Sequence, residues 1–308
     1  MSHVQTVLVT GAEGLLGRHI VRALAVAGQY RVLAISRRTR RPTTDQVEWL
    51  NADLCQASSV QTLASTGADA IVHTAAILPK SMDDHNAADA NRTMDAHVLQ
   101  LAQGTQASLI YLSTQSVYEG CPTPWTEAQT VHPTAAYAAG KHRTEINAMA
   151  LGKPSASLRI SSPYSAADPA RPGVLFHFVR EAVAGRPLTV AGDGQRTQDF
   201  VHGADVARAV LSILKKWQAN PSSASSDIFN IASGRPVSMG ALAELVVACC
   251  ESGKVVHADS DANGFQRAEL CVARAWEILG WKPQVELRTG LEQLIRHLRG
   301  SHEDWLAV

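Results

Sequence analysis

Residues 4–10 form a β-branched apolar run, and residues 15–27 repeat apolar side chains at helical spacing until Gly28 stops them. Between the two stands Thr10-Gly11-Ala12-Glu13-Gly14-Leu15-Leu16-Gly17. The pattern predicts a strand, a tight glycine turn and a helix. Backbone N–H groups at the start of such a helix, together with its positive dipole end, can receive a pyrophosphate. Each glycine has a use there, because one residue must adopt positive φ, one must lack a Cβ where phosphate approaches, and one must let the helix pack close to the strand. The spacing is GxxGxxG, and in this context it points to dinucleotide binding, with Gly11, Glu13, Gly14, Leu15, Leu16 and Gly17 around the cofactor.

The same rhythm recurs downstream. Strand patterns at 31–35, 47–50, 70–74, 109–113 and 156–161 alternate with helical ones at 60–64, 87–103 and 135–151. Such alternation implies parallel strands with helices packed on both faces, an α/β fold. After Ser162 the rhythm breaks at Pro163, Pro169, Pro172 and Pro187, so chain excursions are expected in place of regular crossovers. Residues 1–161 are therefore expected to bind the dinucleotide and residues 162–308 mainly the substrate, with the segment from about 199 to 235 returning to the first domain. Further helices are expected at 204–217, 239–250, 273–279 and 290–298 and a strand at 228–231, and the serine-rich stretch 221–226 reads as a linker.

Composition narrows the partners. Twenty-eight basic residues offset 28 acidic ones, so the chain lacks the positive field that would hold nucleic acid or an anionic membrane surface. The longest strongly apolar runs reach about half of the roughly 20 residues a membrane span needs. Residues 1–6 show no basic leader followed by an apolar stretch, so no export signal is expected. The five cysteines include no CxxC pair, which argues against a disulfide framework and a zinc knuckle and fits the reducing cytoplasm. The 12 histidines show no metal-ligand spacing, so no metal is implied, and His132, His142 and His202 read as surface or packing residues.

The end of the second strand chooses between cofactors. A carboxylate about 20 residues beyond the glycines would accept hydrogen bonds from a ribose diol. Here that place holds Ser36-Arg37-Arg38, which can bind a ribose phosphate through charge-assisted hydrogen bonds. NADP(H) is favoured over NAD(H), although the run through Arg40 and Arg41 also reads as a solvated loop.

Tyr137 and Lys141 are four apart in a helical stretch, so both project from one face. An ammonium beside a phenol stabilises the phenolate and makes a tyrosine usable as a general acid or base. Upstream, the strand at 109–113 ends in Ser113-Thr114-Gln115-Ser116-Val117-Tyr118, at the carboxyl edge where open parallel sheets bind ligands. A hydroxyl there either holds a substrate oxygen or caps a turn.

Together these elements resemble the extended short-chain dehydrogenase/reductase family, the NAD-dependent epimerase/dehydratase group, from Val7 to about Val247. The landmarks are TGAEGLLG, Asp53-Leu54, His73-Thr74-Ala75-Ala76, Asn91, STQSVY, YAAGK, Gly192-Asp193-Gly194, Gln198-Asp199-Phe200-Val201-His202 with Asp205, and Phe229-Asn230-Ile231-Ala232-Ser233-Gly234. The resemblance implies a Rossmann-type doubly wound sheet with a smaller C-terminal substrate-binding region. It implies Tyr137 as acid/base, Lys141 as ribose ligand and stabiliser of the phenolate, and Thr114 as partner of the substrate oxygen. It further places Asp53 and Leu54 near adenine, Ala75 and Ala76 along the cofactor, and Asn91 and Ser113 in the same cofactor set. It also suggests a homodimer formed through the helices starting near Ala87 and Ala135.

Departures from the family pattern matter as much. Dehydratases of the family follow the catalytic threonine with Asp-Glu, whereas Gln115 and Ser116 stand here and neither can expel water. Ser162 replaces a common asparagine near the sugar-nucleotide phosphates, and Gln198 replaces an arginine, so phosphate recognition is expected either to shift to Arg196 or to be altered. The expected substrate is a nucleoside-diphosphate sugar, reduced at a 4-keto carbon. A 4-epimerase with tightly held NAD, a reductase of a non-sugar carbonyl and a non-catalytic dinucleotide sensor are the alternatives.

Overall fold

A computed structural model describes residues 4–37, 46–81, 84–221, 224–259 and 267–300. In chain order, β1 (Gln5–Thr10), α1 (Leu15–Ala27), β2 (Tyr30–Ser36), β3 (Val47–Asn51), α2 (Ala57–Ala64), β4 (Ala70–His73), α3 (His85–Thr105), β5 (Ser108–Thr114), α4 (Ala136–Met149) and β6 (Ser155–Ile160) realise the predicted alternation. They are followed by β7 (Ser162–Tyr164), α5 (Val174–Val183), β8 (Pro187–Ala191), β9 (Thr197–Gln198), β10 (Phe200–His202) and α6 (Gly203–Ala219). The last described elements are β11 (Asp227–Ile231), β12 (Val237–Ser238), α7 (Met239–Cys250), β13 (Lys254–Ala258), α8 (Ala273–Leu279) and α9 (Leu287–Leu298).

Seven strands form one sheet in the order β11-β6-β5-β4-β1-β2-β3, all parallel. The chain runs outward from β1 to β2 and β3, then crosses back to place β4 on the other side of β1. That reversal opens a crevice at the carboxyl ends of β1 and β4, where Thr10 and His73 are in register. Both faces are covered, which is why β1 reads as an unbroken apolar run. On one face Ile20 and Leu24 of α1 pack with Val206, Val210 and Ile213 of α6. On the other, Leu63 of α2, Val98 and Leu101 of α3 and Ala148 of α4 do so.

A third cluster joins α5, α7 and α9 through Phe176, Val179, Leu242, Val246, Leu291 and Leu294. Leu15, the first residue of α1, is buried in it. The glycine turn is thereby fixed to the sheet behind it and to the C-terminal region in front, and burying a leucine of this kind contributes about 2 kcal/mol. The excursion expected after Ser162 proves more ordered than the prolines suggested. Leu175, Phe176, Val179 and Ala182 have helical spacing and form the buried face of α5. Pro172 precedes that helix, Pro187 opens β8 and Pro163 sits inside the short β7, so none of these prolines interrupts a helix.

The joint between the main sheet and the C-terminal region is a buried ring cluster. His19 of α1 and His202 of β10 meet with centroids 5.3 Å apart, and Tyr164 of β7 stands 5.3 Å from His202 on edge. Gly203 has no Cβ because one would lie 2.4 Å from the His19 ring. Burial, aided by the neighbouring cations, pushes His19 down to about 3 and His202 to about 4. His202 is thus a packing residue. No described helix is long and apolar enough to cross a membrane.

Candidate active site

The turn after β1 is shaped by close approach. Gly11 has φ +62, and a Cβ there would lie 2.7 Å from the backbone of Ala75. A Cβ on Gly17 would lie 2.1 Å from the Gly11 carbonyl oxygen. Gly14 is the N-cap of α1 and offers no side-chain cap, so the first N–H groups of the helix keep their donors for a ligand. These are the requirements of a pyrophosphate seat, and a nicotinamide dinucleotide fits them.

A cleft of about 400 Å³ extends from this turn. Gly11, Glu13 and Gly14 form its floor, Ser36 and Arg37 its far end, Asp53 and Leu54 one wall, and Ala75 and Ala76 the other. At the far end the Ser36 hydroxyl donates to the Glu13 carboxylate, so serine and carboxylate share the place expected to hold serine and arginine alone. Arg38 lies outside the described residues. Sequence reasoning missed Arg18, one residue beyond the last glycine, which lines the cleft while its Nε donates to the Glu13 carbonyl at 2.8 Å. Its place in the first helical turn was the available signal.

Asn91 does not line this cleft. Its Oδ1 accepts from the Ile77 N–H at 2.7 Å and its Nδ2 donates to the Ile77 carbonyl at 2.8 Å. The amide therefore holds the segment after β4 in place. The neighbouring wall is set by Thr10, whose Oγ1 accepts from the N–H groups of Thr74 and Ala75 at 3.1 and 3.2 Å.

A second cleft of about 360 Å³ shares Gly14, Thr74 and Ala76 with the first, and Leu15, Leu16 and Gly17 also border it. Thr114, Tyr137 and Lys141 line it together with Ser113, Gln115 and Ser162. Thr114 caps a short turn, its Oγ1 accepting from the Ser116 N–H at 3.2 Å, and the residue also lines the cleft. Lys141 is buried, donates to the Leu112 carbonyl at 3.2 Å and sits 5.9 Å from the centre of the Tyr137 ring. The Ser113 hydroxyl is used inward, donating to Glu145, which also pairs with buried Arg159.

Beneath Lys141 lies a buried acid. Asp95 of α3 receives Tyr111 Oη at 2.5 Å and Thr144 Oγ1 at 3.0 Å, and faces His73 Nε2 at 2.9 Å. His73 Nδ1 in turn stands 2.7 Å from Thr10 Oγ1, linking this network to the wall of the first cleft. Burial opposes ionisation of Asp95, but Lys141, His73 and Tyr111 together outweigh it and hold the carboxyl well below its usual range. The Lys141 ammonium is thus balanced by an anion on its buried side. Asp95→Asn keeps the shape and removes that charge; its stability is expected to fall by about 2 kcal/mol, read from the urea midpoint at unchanged slope.

On the substrate side, Ser162 accepts from Gln198 Nε2 and from Gln115 Nε2, the latter at 3.5 Å. Arg196 lines neither cleft; its Nη2 is 3.6 Å from Met239 Sδ. The arginine that does line the second cleft is Arg171, from the proline-broken stretch where no periodicity marked it. Among the described residues no group of three or more side chains is arranged to hold a metal ion.

The profile described as the NAD dependent epimerase/dehydratase family matches residues 7–232, a span that contains both clefts. The chain belongs to that family. This epimerase/dehydratase enzyme is 24% identical, over 96% of its length and 99% of the relative's, to a putative UDP-glucose 4-epimerase of Methanocaldococcus jannaschii. It is 27% identical to a dTDP-4-dehydro-6-deoxy-D-allose reductase of Streptomyces bikiniensis over 96% of each chain. Among solved structures, the UDP-glucose 4-epimerase of Thermotoga maritima superposes with a TM-score of 0.83 at 22% identity, covering 96% of this chain and 99% of that one. That likeness is one of fold, the Rossmann-type sheet with its smaller C-terminal region.

Proposed function

We propose that this enzyme reduces a 4-keto nucleoside-diphosphate sugar. The carrying observation is that Thr114, Tyr137 and Lys141 share a cleft continuous with the glycine seat, with Gln115 and Ser116 following Thr114. A nicotinamide dinucleotide bound in the first cleft supplies the hydride. Tyr137 gives its proton to the substrate carbonyl oxygen, the Thr114 hydroxyl holds that oxygen, and the Lys141 ammonium stabilises the phenolate left behind. An amide and a hydroxyl after Thr114 cannot act as the acid and base of water expulsion, so the site supports hydride transfer without dehydration. A relative named as a 4-keto sugar reductase supports the same reading.

At the ribose end, Arg37 and Arg18 favour NADPH. The Glu13 carboxylate against Ser36 favours a ribose diol, and it is the observation behind a second reading, a 4-epimerase that keeps NAD. The proposed assembly is a homodimer through α3 and α4, with Ile146 and Met149 exposed on α4. All five cysteines are free thiols, in keeping with the proposed reducing cytoplasm.

One experiment tests both readings. The purified enzyme is denatured and any released nucleotide identified, then the native enzyme is given a dTDP-4-keto-6-deoxyhexose with NADPH or NADH. An empty site and faster oxidation of NADPH support the reductase. Released NAD, with interconversion of a UDP-hexose and its 4-epimer, supports the epimerase, and failure of both assays overturns the proposal.

A further inference from the structure

In the proposed reaction Thr114 and Tyr137 act on one oxygen, yet the chain between them leaves the second cleft after Ser116. It runs out to the C-terminal region, where Tyr118 Oη donates to Asn230 Oδ1 at 2.8 Å and the Trp125 N–H donates to the Glu269 carbonyl at 2.8 Å. It returns at Thr134, ahead of α4. Glu119 spans that excursion. It follows the short turn Gln115–Tyr118, which Thr114 caps. Its Oε2 accepts from the N–H groups of Thr134 and Ala135, and its Oε1 accepts from the Thr134 hydroxyl, all at 3.0 Å. Ala135 is the N-cap of α4 and makes no side-chain cap. The Glu119 carboxylate supplies the missing acceptor from the other end of the excursion. The Ala135 N–H above all, with the two Thr134 donors, holds that carboxyl below its usual range, so it is ionised at neutral pH.

We propose that Glu119 is a positioning residue that sets Tyr137 against Thr114 by fastening the turn after β5 to the entrance of α4. The inference rests on the reading of those two residues as a pair acting on one substrate oxygen, and its test separates the two. Tyr137 is the second residue of α4, so the fastening lies within one helical turn of it. The next tie on that helix is Lys141, whose bond to the Leu112 carbonyl joins α4 to the strand that ends at Thr114. Tyr137 is thus held from both sides. With Lys141 alone, the entrance of α4 would follow an excursion anchored at Asn230 and Glu269. A displacement of about 1 Å between reacting groups can cost on the order of 100-fold in rate. Glu119 lines neither cleft, so replacing it leaves the groups that touch dinucleotide and substrate in place.

Wild-type enzyme, Glu119→Ala and the double variant Glu119→Ala/Ala135→Asp are compared by steady-state kinetics, with a dTDP-4-keto-6-deoxyhexose and NADPH or with a UDP-hexose. In Glu119→Ala, kcat is expected to fall by about 10- to 100-fold, with KM and dinucleotide affinity within about twofold of wild type. The double variant gives α4 an N-cap carboxylate of its own, which replaces the cap and its charge but not the tether. Its melting temperature is expected to recover while kcat stays low. Recovery of kcat together with the melting temperature would make Glu119 a cap alone and overturn the proposal. So would a kcat in Glu119→Ala within threefold of wild type, or a loss carried by KM alone. Crystal structures of the three proteins with bound dinucleotide supply a readout without turnover, in which the separation of the Thr114 and Tyr137 hydroxyls is expected to widen in both variants. Should the wild type act on neither sugar, the proposed reaction falls and that separation decides the fastening: widening upholds it and an unchanged value overturns it.

Discussion

Tyr137→Phe is expected to lower kcat/KM by roughly 10²- to 10⁴-fold, the range for removing a positioned general acid. Dinucleotide affinity should hold within about twofold, because the Phe ring keeps the packing of Tyr137 and the glycine seat is untouched. The substitution removes one oxygen. Lys141 remains anchored to the Leu112 carbonyl and to Asp95's field, so its loss does not confound the result. Thr114 still polarises the carbonyl, which accounts for residual turnover above background. Steady-state kinetics paired with a nucleotide titration check it. Turnover within threefold of wild type, at about the same affinity, would remove Tyr137 from the acid/base role.

Acid is expected to weaken the fold from its middle. His19 and His202 have folded-state values of about 3 and about 4, both below the 6.5 of an exposed histidine. The unfolded chain therefore takes up protons first. Their contribution is intact above pH 6.5 and declines as the pH falls toward the folded values. Between pH 7 and pH 5 each histidine is expected to remove about 2 kcal/mol. Asp199 and Asp205, whose carboxyls burial raises, act in the opposite sense, because the folded state binds their protons more tightly as the pH falls. Urea unfolding at the two pH values measures the slope, and His202→Asn should reduce it. Equal midpoints at pH 7 and pH 5 would show that the ring cluster admits protons freely.

Much of this molecule is legible in its sequence where one interaction dominates locally. The glycine turn, the alternation through β6, and the spacing of Tyr137 and Lys141 are written by near neighbours, and the structure has these elements within three residues of the expected bounds. What escaped depends on distant partners. Asn91 looks like a cofactor residue until Ile77, fourteen positions away, is seen to use its whole amide. Asp95 is one polar residue on an amphipathic helix until β4, β5 and α4 bring His73, Tyr111 and Thr144 around it. Glu13 reads as a cofactor contact of the glycine turn, but its bond to Ser36 is hidden until β2 brings that serine against its carboxylate. Arg171 is hidden differently, because a turn held by another side chain has no period to read.

The placement of β11 on the outer edge of the sheet bears on how such a chain is inherited. Its five residues pair along β6, and the α6 helix that precedes it covers α1. A gene fragment ending after β6 would leave an unpaired edge and a bare helix face, both prone to self-association. Recombination would therefore tend to exchange the main sheet and the C-terminal region as one piece. New specificities would then arise by point changes and loop insertions around the second cleft more readily than by shuffling modules.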